Sequence, residues 1–134
     1  MRRALAEVCA HAIKLKNPDA DRAREFFESN FGMRCIFQRR EELAMLEDEN
    51  GLSLGVSSLF GSPPPVYPPD FHIGFILEKE ADVRRINGQL KKAGVTIKTD
   101  LSRGGPNIYF MCVGPDGLVV EVRAPLDENV PQPS

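Results

Sequence analysis

The sequence predicts an α+β fold built from two consecutive βαβββ units, and three observations indicate it. A pattern of one strand, one helix and three further strands occurs twice along the 134 residues. Each predicted helix ends at a glycine, Gly32 or Gly94, where a left-handed residue commonly stops a helix. The segment Asn50–Val56 aligns without a gap on Asp116–Val122 and shares a glycine, a leucine and a valine with it. Such self-similarity is typical of a pseudo-symmetric domain.

The first unit covers about residues 10–60. Asn17 offers a capping side chain and Pro18 suits a first helical turn, so we expect a helix directly after the first strand. Apolar residues at three- and four-residue spacing give this helix one core-facing side: Ala23, Phe26, Phe27 and Phe31. The predicted strands are Ile13–Lys16, Arg34–Gln38, Leu43–Glu47 and Leu52–Ser58.

A proline-rich connector, residues 61–70, separates the two units. Proline lacks the N–H group that a central strand needs, and it holds the chain extended. We expect this segment to act as a spacer between two packed halves of one domain, residues 1–134. The alternative is a docking peptide for an aromatic-lined groove.

The second unit covers about residues 71–124. Its helix has apolar positions that lead to the second glycine stop: Val83, Ile86, Leu90 and Ala93. The predicted strands are Phe71–Leu77, Val95–Lys98, Ile108–Val113 and Leu118–Arg123. We expect Ser102–Pro106 to form a mobile turn and residues 125–134 to form a frayed tail.

Composition and charge exclude several classes of function. The 17 basic and 19 acidic residues give a formal net charge of −2 without a basic tract, which argues against nucleic-acid binding. No apolar run has the length of a signal peptide or transmembrane helix, so we expect no membrane partner. The cysteines Cys9, Cys35 and Cys112 are odd in number and widely spaced, which favours reduced thiols and a cytoplasmic location.

One acid near the C-terminus stands out by its position. The turn Gly114–Gly117 reverses the chain and feeds a strand in which apolar residues alternate with Val119, Glu121 and Arg123. Glu121 therefore projects from the face opposite the apolar one. A carboxylate on the inner face of a sheet is a candidate ligand or base, and the alternative is an ordinary solvated or ion-paired acid.

Three parts of the chain carry a resemblance to a known family: Asp19–Phe27 with Phe31–Met33, then Phe71–Gly74, and finally Gly114–Glu121. They resemble the vicinal oxygen chelate superfamily, which includes glyoxalase I, bleomycin resistance proteins, fosfomycin-modifying enzymes and extradiol dioxygenases. The resemblance implies that the two βαβββ units pack as a half-open, pseudo-symmetric, glyoxalase-like barrel. It also implies that His72 and Glu121 are metal ligands, with Glu121 as ligand or catalytic base, and that the chain forms a homodimer.

The identity of a third metal ligand stays open at this stage. Counting from the pairs Ala20-Asp21 and Ala81-Asp82 places His11 on His72, which would complete a facial triad suited to a divalent ion. Strand parity instead places Ala10 or Ala12 there, because Ile13 and Leu15 should face the helix. A bulge between His11 and Ile13 would restore the triad.

Two functions from different classes follow from this resemblance. The first is a divalent-metal-dependent lyase or dioxygenase, using Fe, Zn, Ni or Mn, that chelates adjacent oxygens of a small oxygen-rich molecule. The second is a metal-free protein that binds and sequesters a flat small molecule, favoured by Gly55 in the place of a fourth ligand. The expected cleft residues are Lys14, Lys16, Gly55 and Arg123, with Ile76 on the same side as His72 and either Tyr109 or Phe110 pointing inward.

Overall fold

The computed structural model describes residues 12–16, 20–40, 42–49, 51–57, 67–68 and 70–127, with the backbone alone described for 12–16 and 116. The chain divides into two compact units, residues 2–66 and residues 67–134. The boundary between them falls inside the proline-rich segment 61–70.

Unit one contains one helix and a four-stranded sheet in its described part. The elements are β1 (Ala12–Lys16), α1 (Ala20–Phe31), β2 (Arg34–Arg39), β3 (Leu43–Glu47) and β4 (Ser53–Ser57). The strand order is β1-β4-β3-β2, with β1 parallel to β4 and the other neighbours antiparallel. Helix α1 ends where Gly32 adopts a left-handed conformation at φ +63°, as its sequence predicts.

The core of unit one lies between α1 and one face of its sheet. Ala23 and Phe27 are buried on the helix, and Phe27 contacts the rings of Phe26 and Phe31, which are half-buried. The sheet contributes four almost fully buried side chains to this core: Ala44, Leu46, Leu54 and Val56. They alternate along β3 and β4, because successive strand residues point to opposite faces.

Unit two repeats this arrangement. Its elements are β5 (His72–Ile76), α2 (Glu80–Lys92), β6 (Ile97–Gly104), β7 (Asn107–Val113), a single 3-10 turn (Pro115–Gly117) and β8 (Val119–Pro125). The strand order is β5-β8-β7-β6, with β5 parallel to β8. Helix α2 ends just before Gly94, which adopts a left-handed conformation at φ +80°. Both units therefore have the predicted βαβββ order, and the α+β fold class is confirmed.

The core of unit two lies between α2 and the sheet. The buried helix residues include Val83, Ile86 and Leu90. The sheet contributes Phe75, Ile108, Phe110, Cys112, Val120, Val122 and Ala124, each buried. Ala93, predicted on the same helix side, is instead exposed, since the helix ends at Lys92 and Ala93 is its cap.

Strand β6 differs most from its prediction. The sequence predicts a mobile turn at Ser102, Arg103 and Gly104, but these residues are paired with β7, and the turn is confined to Gly105–Pro106. The register shifts on both sides of Thr99, and the Asp100 carboxylate accepts hydrogen bonds from Lys91 and Asn87 of α2. Because of these irregularities, the sequence of β6 lacks the regular alternation of side chains that predicts a strand.

The chain remains ordered beyond the last predicted strand. Pro125 ends β8, the Leu126 N–H donates to the Pro106 carbonyl at 2.9 Å, and the Asp127 N–H donates to the Glu80 carboxylate at 2.8 Å. These three residues therefore belong to the folded unit, whereas the rest of the predicted tail, 128–134, lies outside the described residues. In the described part of the chain, neither helix is long and apolar enough to cross a membrane.

Candidate functional site

The candidate site lies on the face of the unit-two sheet that points away from α2, which we call the distal face. In the parallel pair β5–β8, Gly74 lies beside Glu121 and Ile76 beside Arg123. The intervening residues Val120 and Val122 are fully buried on the helix side. His72, Gly74, Ile76, Val119, Glu121 and Arg123 therefore share the distal face, as strand parity predicts.

His72 and Glu121 are brought together on this face. The His72 Nε2 and Glu121 Oε1 atoms are 3.8 Å apart, and the two side chains are 39% and 17% exposed. This distance is too long for a hydrogen bond. Among the residues that the structure describes, no other donor or cation lies within bonding range of the Glu121 carboxylate.

The tautomer of His72 follows from its second contact. Its Nδ1 atom lies 3.1 Å from the backbone carbonyl oxygen of Asp70. A carbonyl oxygen only accepts hydrogen bonds, so Nδ1 carries a hydrogen, and Nε2 is the ring nitrogen that faces Glu121. Histidines that bind metals are commonly held by a backbone carbonyl in this way.

A short turn before β5 presents the Asp70 carbonyl. The Phe71 N–H donates to the Pro68 carbonyl at 3.0 Å and closes this turn. The Tyr67 and Phe71 rings stack across it, with centroids 5.4 Å apart and planes 7° from parallel. The aromatic stack and the turn together fix where the Asp70 carbonyl, and hence the imidazole of His72, can lie.

Glycine at position 74 leaves room for the Glu121 carboxylate. A Cβ atom built at Gly74 would lie 3.5 Å from Glu121 Oε1, in ordinary van der Waals contact. Any longer side chain would extend over the carboxylate, because both positions are on the same face of neighbouring strands. An isolated glycine in a strand pattern signals such a close approach, and this signal is present in the sequence.

The distal face continues toward Tyr109. In the antiparallel pair β7–β8, Tyr109 lies opposite Arg123 and Met111 opposite Glu121. Phe110 is fully buried on the helix side, so Tyr109 is the aromatic residue that shares the face of His72. Its ring lies against the backbone of Gly104, where an added Cβ would come within 3.1 Å of a ring carbon.

The described positions of unit one that are equivalent to His72 and Glu121 are Ala12 and Gly55. There Lys14 lies beside Gly55 and Ala12 beside Ser53, just as Gly74 lies beside Glu121 and His72 beside Val119. The register thus places Ala12 at the position that His72 has in unit two. Lys14 and Lys16 occupy the strand positions next to Gly55 and Ser57. His11 lies outside the described residues.

Comparison with known proteins identifies the family. The model of the Glyoxalase/Bleomycin resistance protein/Dioxygenase superfamily matches residues 10–122. The chain belongs to this superfamily. No curated protein matches the sequence.

Several solved structures have the same fold. A possible glyoxalase from Bacillus cereus is 30% identical, with a TM-score of 0.73 over 84% of this chain and 95% of that one. A lactoylglutathione lyase from Agrobacterium tumefaciens is 16% identical, with a TM-score of 0.67 over 84% and 90% of the two chains. A fosfomycin resistance protein from Mesorhizobium loti is 14% identical, with a TM-score of 0.70 over 88% and 92%.

The donor set of this superfamily member fits a divalent ion only in part. Metal bonds to imidazole nitrogen and carboxylate oxygen are about 2.0–2.2 Å long, so donors up to about 4 Å apart are able to contact one ion. His72 and Glu121 meet this condition at 3.8 Å. In the described part of the chain, no group of three or more His, Cys, Asp or Glu side chains is arranged to hold a metal. Two protein ligands leave most of a coordination shell to water or to a ligand.

Proposed function

We propose that this protein binds a small oxygen-rich molecule through a divalent metal ion held by His72 and Glu121, and acts on it as a lyase or dioxygenase of the glyoxalase superfamily. One observation carries the proposal: the Nε2 atom of an imidazole whose Nδ1 is held by a backbone carbonyl lies 3.8 Å from a mostly buried carboxylate that accepts no hydrogen bond from the described residues. Two such groups face each other favourably only when a cation or a proton lies between them.

Each protein group has a distinct task in this scheme. The metal, when bound, supplies Lewis-acid polarisation of two adjacent substrate oxygens. His72 holds one side of the site in a fixed tautomer through the Asp70 carbonyl. Glu121 would hold the other side as a ligand, and its second oxygen would then act as a base toward a substrate proton. Gly74 keeps the space above the carboxylate free.

Basic side chains would favour negatively charged or oxygen-rich ligands. Arg123 shares the distal face with Glu121. On the unit-one sheet, we propose Lys14, Lys16 and Gly55 as cleft residues, because the two lysines lie on β1 beside Gly55 and Ser57. Cationic groups near a site raise the local concentration of anionic ligands.

The proposal is tested by metal analysis of protein purified without a chelator or an affinity tag, followed by calorimetric titration with Mn²⁺. We expect saturable binding of one ion per chain. His72→Ala and Glu121→Ala should each weaken the affinity by at least about 100-fold, because each removes one of two protein ligands.

Glu47→Ala is the matched control, because it removes a carboxylate from the unit-one sheet. Its metal affinity should equal that of the wild type. His11→Ala should also leave the affinity unchanged if Ala12 occupies the position equivalent to His72. A loss in His11→Ala would instead indicate the bulge that places His11 in a facial triad. Failure of the wild type to bind any divalent ion would refute the metal-dependent function.

A second candidate function is metal-free binding and sequestration of a flat small molecule. The observation that favours it is the absence of donor side chains at Ala12 and Gly55, the unit-one positions equivalent to His72 and Glu121. In this case thermal-shift screening of aromatic antibiotics in the presence of EDTA should reveal saturable stabilisation. Stabilisation that requires a divalent ion would exclude this candidate.

We further propose that the protein is a cytoplasmic homodimer. Ile36 and Phe37 are 50% and 53% exposed on β2, an edge strand of the unit-one sheet, and exposed apolar side chains of this size favour association. Sedimentation analysis of the wild type and of Phe37→Glu tests the oligomeric state. A wild-type monomer would refute it.

A further inference from the structure

We propose that Arg123 and Tyr109 form a second subsite on the distal face, which binds the negatively charged arm of a planar substrate whose adjacent oxygens lie at His72 and Glu121. This inference rests on the proposed function, because it names the class of molecule that the same site would take. The class is a flat ring or conjugated chain that bears a carboxylate or similar anion.

The Arg123 side chain has no partner among the residues that the structure describes. It is half-buried and lies two residues along β8 from Glu121, yet its guanidinium makes no ion pair or hydrogen bond with any residue that the structure describes. Arginine presents five donors in a fixed planar arrangement that matches the two oxygens of a carboxylate. A half-buried arginine whose donors are unpaired is therefore suited to bind an anion from solution.

Tyr109 gives the subsite a flat wall. It lies directly opposite Arg123 across the β7–β8 pair, and Ile76 lies beside Arg123 on the other side, in β5. The Tyr109 ring lies against the backbone of Gly104, where a Cβ would approach two ring carbons to 3.1 and 3.2 Å. Because Gly104 has no side chain, the Tyr109 ring packs directly against the backbone of β6. A ring held in this way offers an aromatic face to a planar ligand beside the cation.

The strand spacing between Glu121 and Arg123 gives the scale of the proposed substrate. Arg123 follows Glu121 by two residues on one strand, a separation of about 6.6–6.8 Å along the sheet. Tyr109 and Met111 are related in the same way on β7. A single six-membered ring with adjacent oxygens at one end and an anionic group at the other spans this distance.

A matched pair of probes tests this subsite. The compounds 3,4-dihydroxybenzoate and 3,4-dihydroxybenzamide share the ring and the adjacent oxygens but differ in charge. Their binding to protein loaded with Mn²⁺ is measured by calorimetry under nitrogen. We expect wild-type protein to prefer the benzoate by about 10- to 100-fold, the range for a hydrogen-bonded charged contact.

Variants separate the two parts of the subsite. Arg123→Gln should remove the preference for the benzoate and leave the affinity for Mn²⁺ unchanged. Arg103→Gln is the control for net charge, because Arg103 pairs with Ile108 on the other side of the sheet and its loss should not change the preference. Gly104→Ala, which displaces the Tyr109 ring, should weaken both probes about equally.

The outcomes distinguish this inference from the proposed function. Equal affinity of the wild type for the two probes, or a preference that survives in Arg123→Gln, overturns the subsite and leaves the metal site intact. Binding of Mn²⁺ without binding of either probe also overturns it. Failure to bind Mn²⁺ at all refutes the proposed function. If the probes then bind with the same charge preference in EDTA, the subsite survives as part of a metal-free binding site.

Discussion

The two units of this protein have the same scaffold but different chemistry on one face. Their strand orders and parallel pairings are identical, and both helix-facing sides are apolar and buried. On the opposite side, unit two presents His72 and Glu121, whereas the same register positions in unit one are Ala12 and Gly55. The core is therefore maintained by packing in both halves, and among the described residues of this face the imidazole and carboxylate pair lies in unit two.

The largest predicted changes in stability come from removing one buried aromatic ring from each core, and the two changes should be similar in size. Phe27 in unit one and Phe110 in unit two are both fully buried. Phe27→Ala and Phe110→Ala should each lower the free energy of unfolding by about 3–5 kcal/mol, because each leaves a cavity. Urea denaturation measures the change. Lys98→Ala, at an exposed position of β6, is the control and should cost less than about 1 kcal/mol. A large difference between the two core variants would contradict the equivalence.

The cysteines provide a second comparison between the units. Burial raises the pKa of the Cys112 thiol to about 11, and this side chain lies in the core of unit two. Cys35 lies half-buried on the edge strand β2. In a Cys9→Ser background at pH 8, alkylation of Cys112 should be at least about 100-fold slower than alkylation of Cys35, since only the exposed thiolate reacts.

Mass spectrometry of the alkylated peptides measures both rates. In denaturing urea the two rates should become equal, which is the control for intrinsic reactivity. Rapid labelling of Cys112 in the folded protein would show that the unit-two core opens readily.

We expect the Glu121 carboxylate to lower the free energy of unfolding of the metal-free protein. Its carboxylate is 17% exposed and accepts no hydrogen bond from the described residues. Glu121→Met should raise the free energy of unfolding of the metal-free protein by about 0.5–1 kcal/mol, because it removes a partly desolvated charge. The same change should abolish metal binding. Glu47→Met, which breaks a contact with Arg34, should not stabilise the protein. Destabilisation by Glu121→Met would indicate a structural role for the acid.

The smallest predicted change in stability concerns the side-chain hydrogen bond that links each helix to an edge strand. In unit one, Asp21 of α1 accepts a hydrogen bond from Gln38 of β2, and in unit two Asp100 of β6 accepts one from Lys91 of α2. The hydrogen bond from Lys91 is the main cause that lowers the pKa of Asp100. Both partners are about half exposed, so Asp100→Asn should cost only about 0.5 kcal/mol.

The sign of the pH dependence follows from that lowered pKa. The folded-state pKa of Asp100 lies below the unfolded value of about 3.9. Its contribution is complete at neutral pH and is lost as the pH falls through the folded-state pKa. The difference between the wild type and Asp100→Asn in urea denaturation should therefore be present at pH 7 and vanish in strong acid. A difference that grows in acid would contradict this assignment.

Much of the fold could be predicted because its signals are local. The alternation of Leu118, Val120 and Val122 gave the buried face of β8, and the structure confirms it. Gly32 and Gly94 have the positive φ angles that their helix-end positions predict. The resemblance located His72 and Glu121, and strand parity placed them on one face, which the register confirms.

The remaining features depend on information that a single sequence does not contain. The sequence predicts a turn at Ser102–Gly104 rather than a strand, because two irregularities in the β6–β7 register break the period of two. The choice between Tyr109 and Phe110 required the pairing with Arg123. Asp70 acts through its backbone carbonyl, which every residue possesses, so no side-chain pattern reveals it.

Anomalous diffraction from crystals soaked in Mn²⁺ most directly tests whether the metal chemistry is confined to unit two. We predict one peak within about 2.0–2.3 Å of both His72 Nε2 and a Glu121 carboxylate oxygen, reached by a small rotation of the two side chains from their separation of 3.8 Å. We predict no peak beside Gly55. A peak at Gly55, or none at His72 and Glu121 in crystals that bind Mn²⁺ elsewhere, would contradict the assignment of the site.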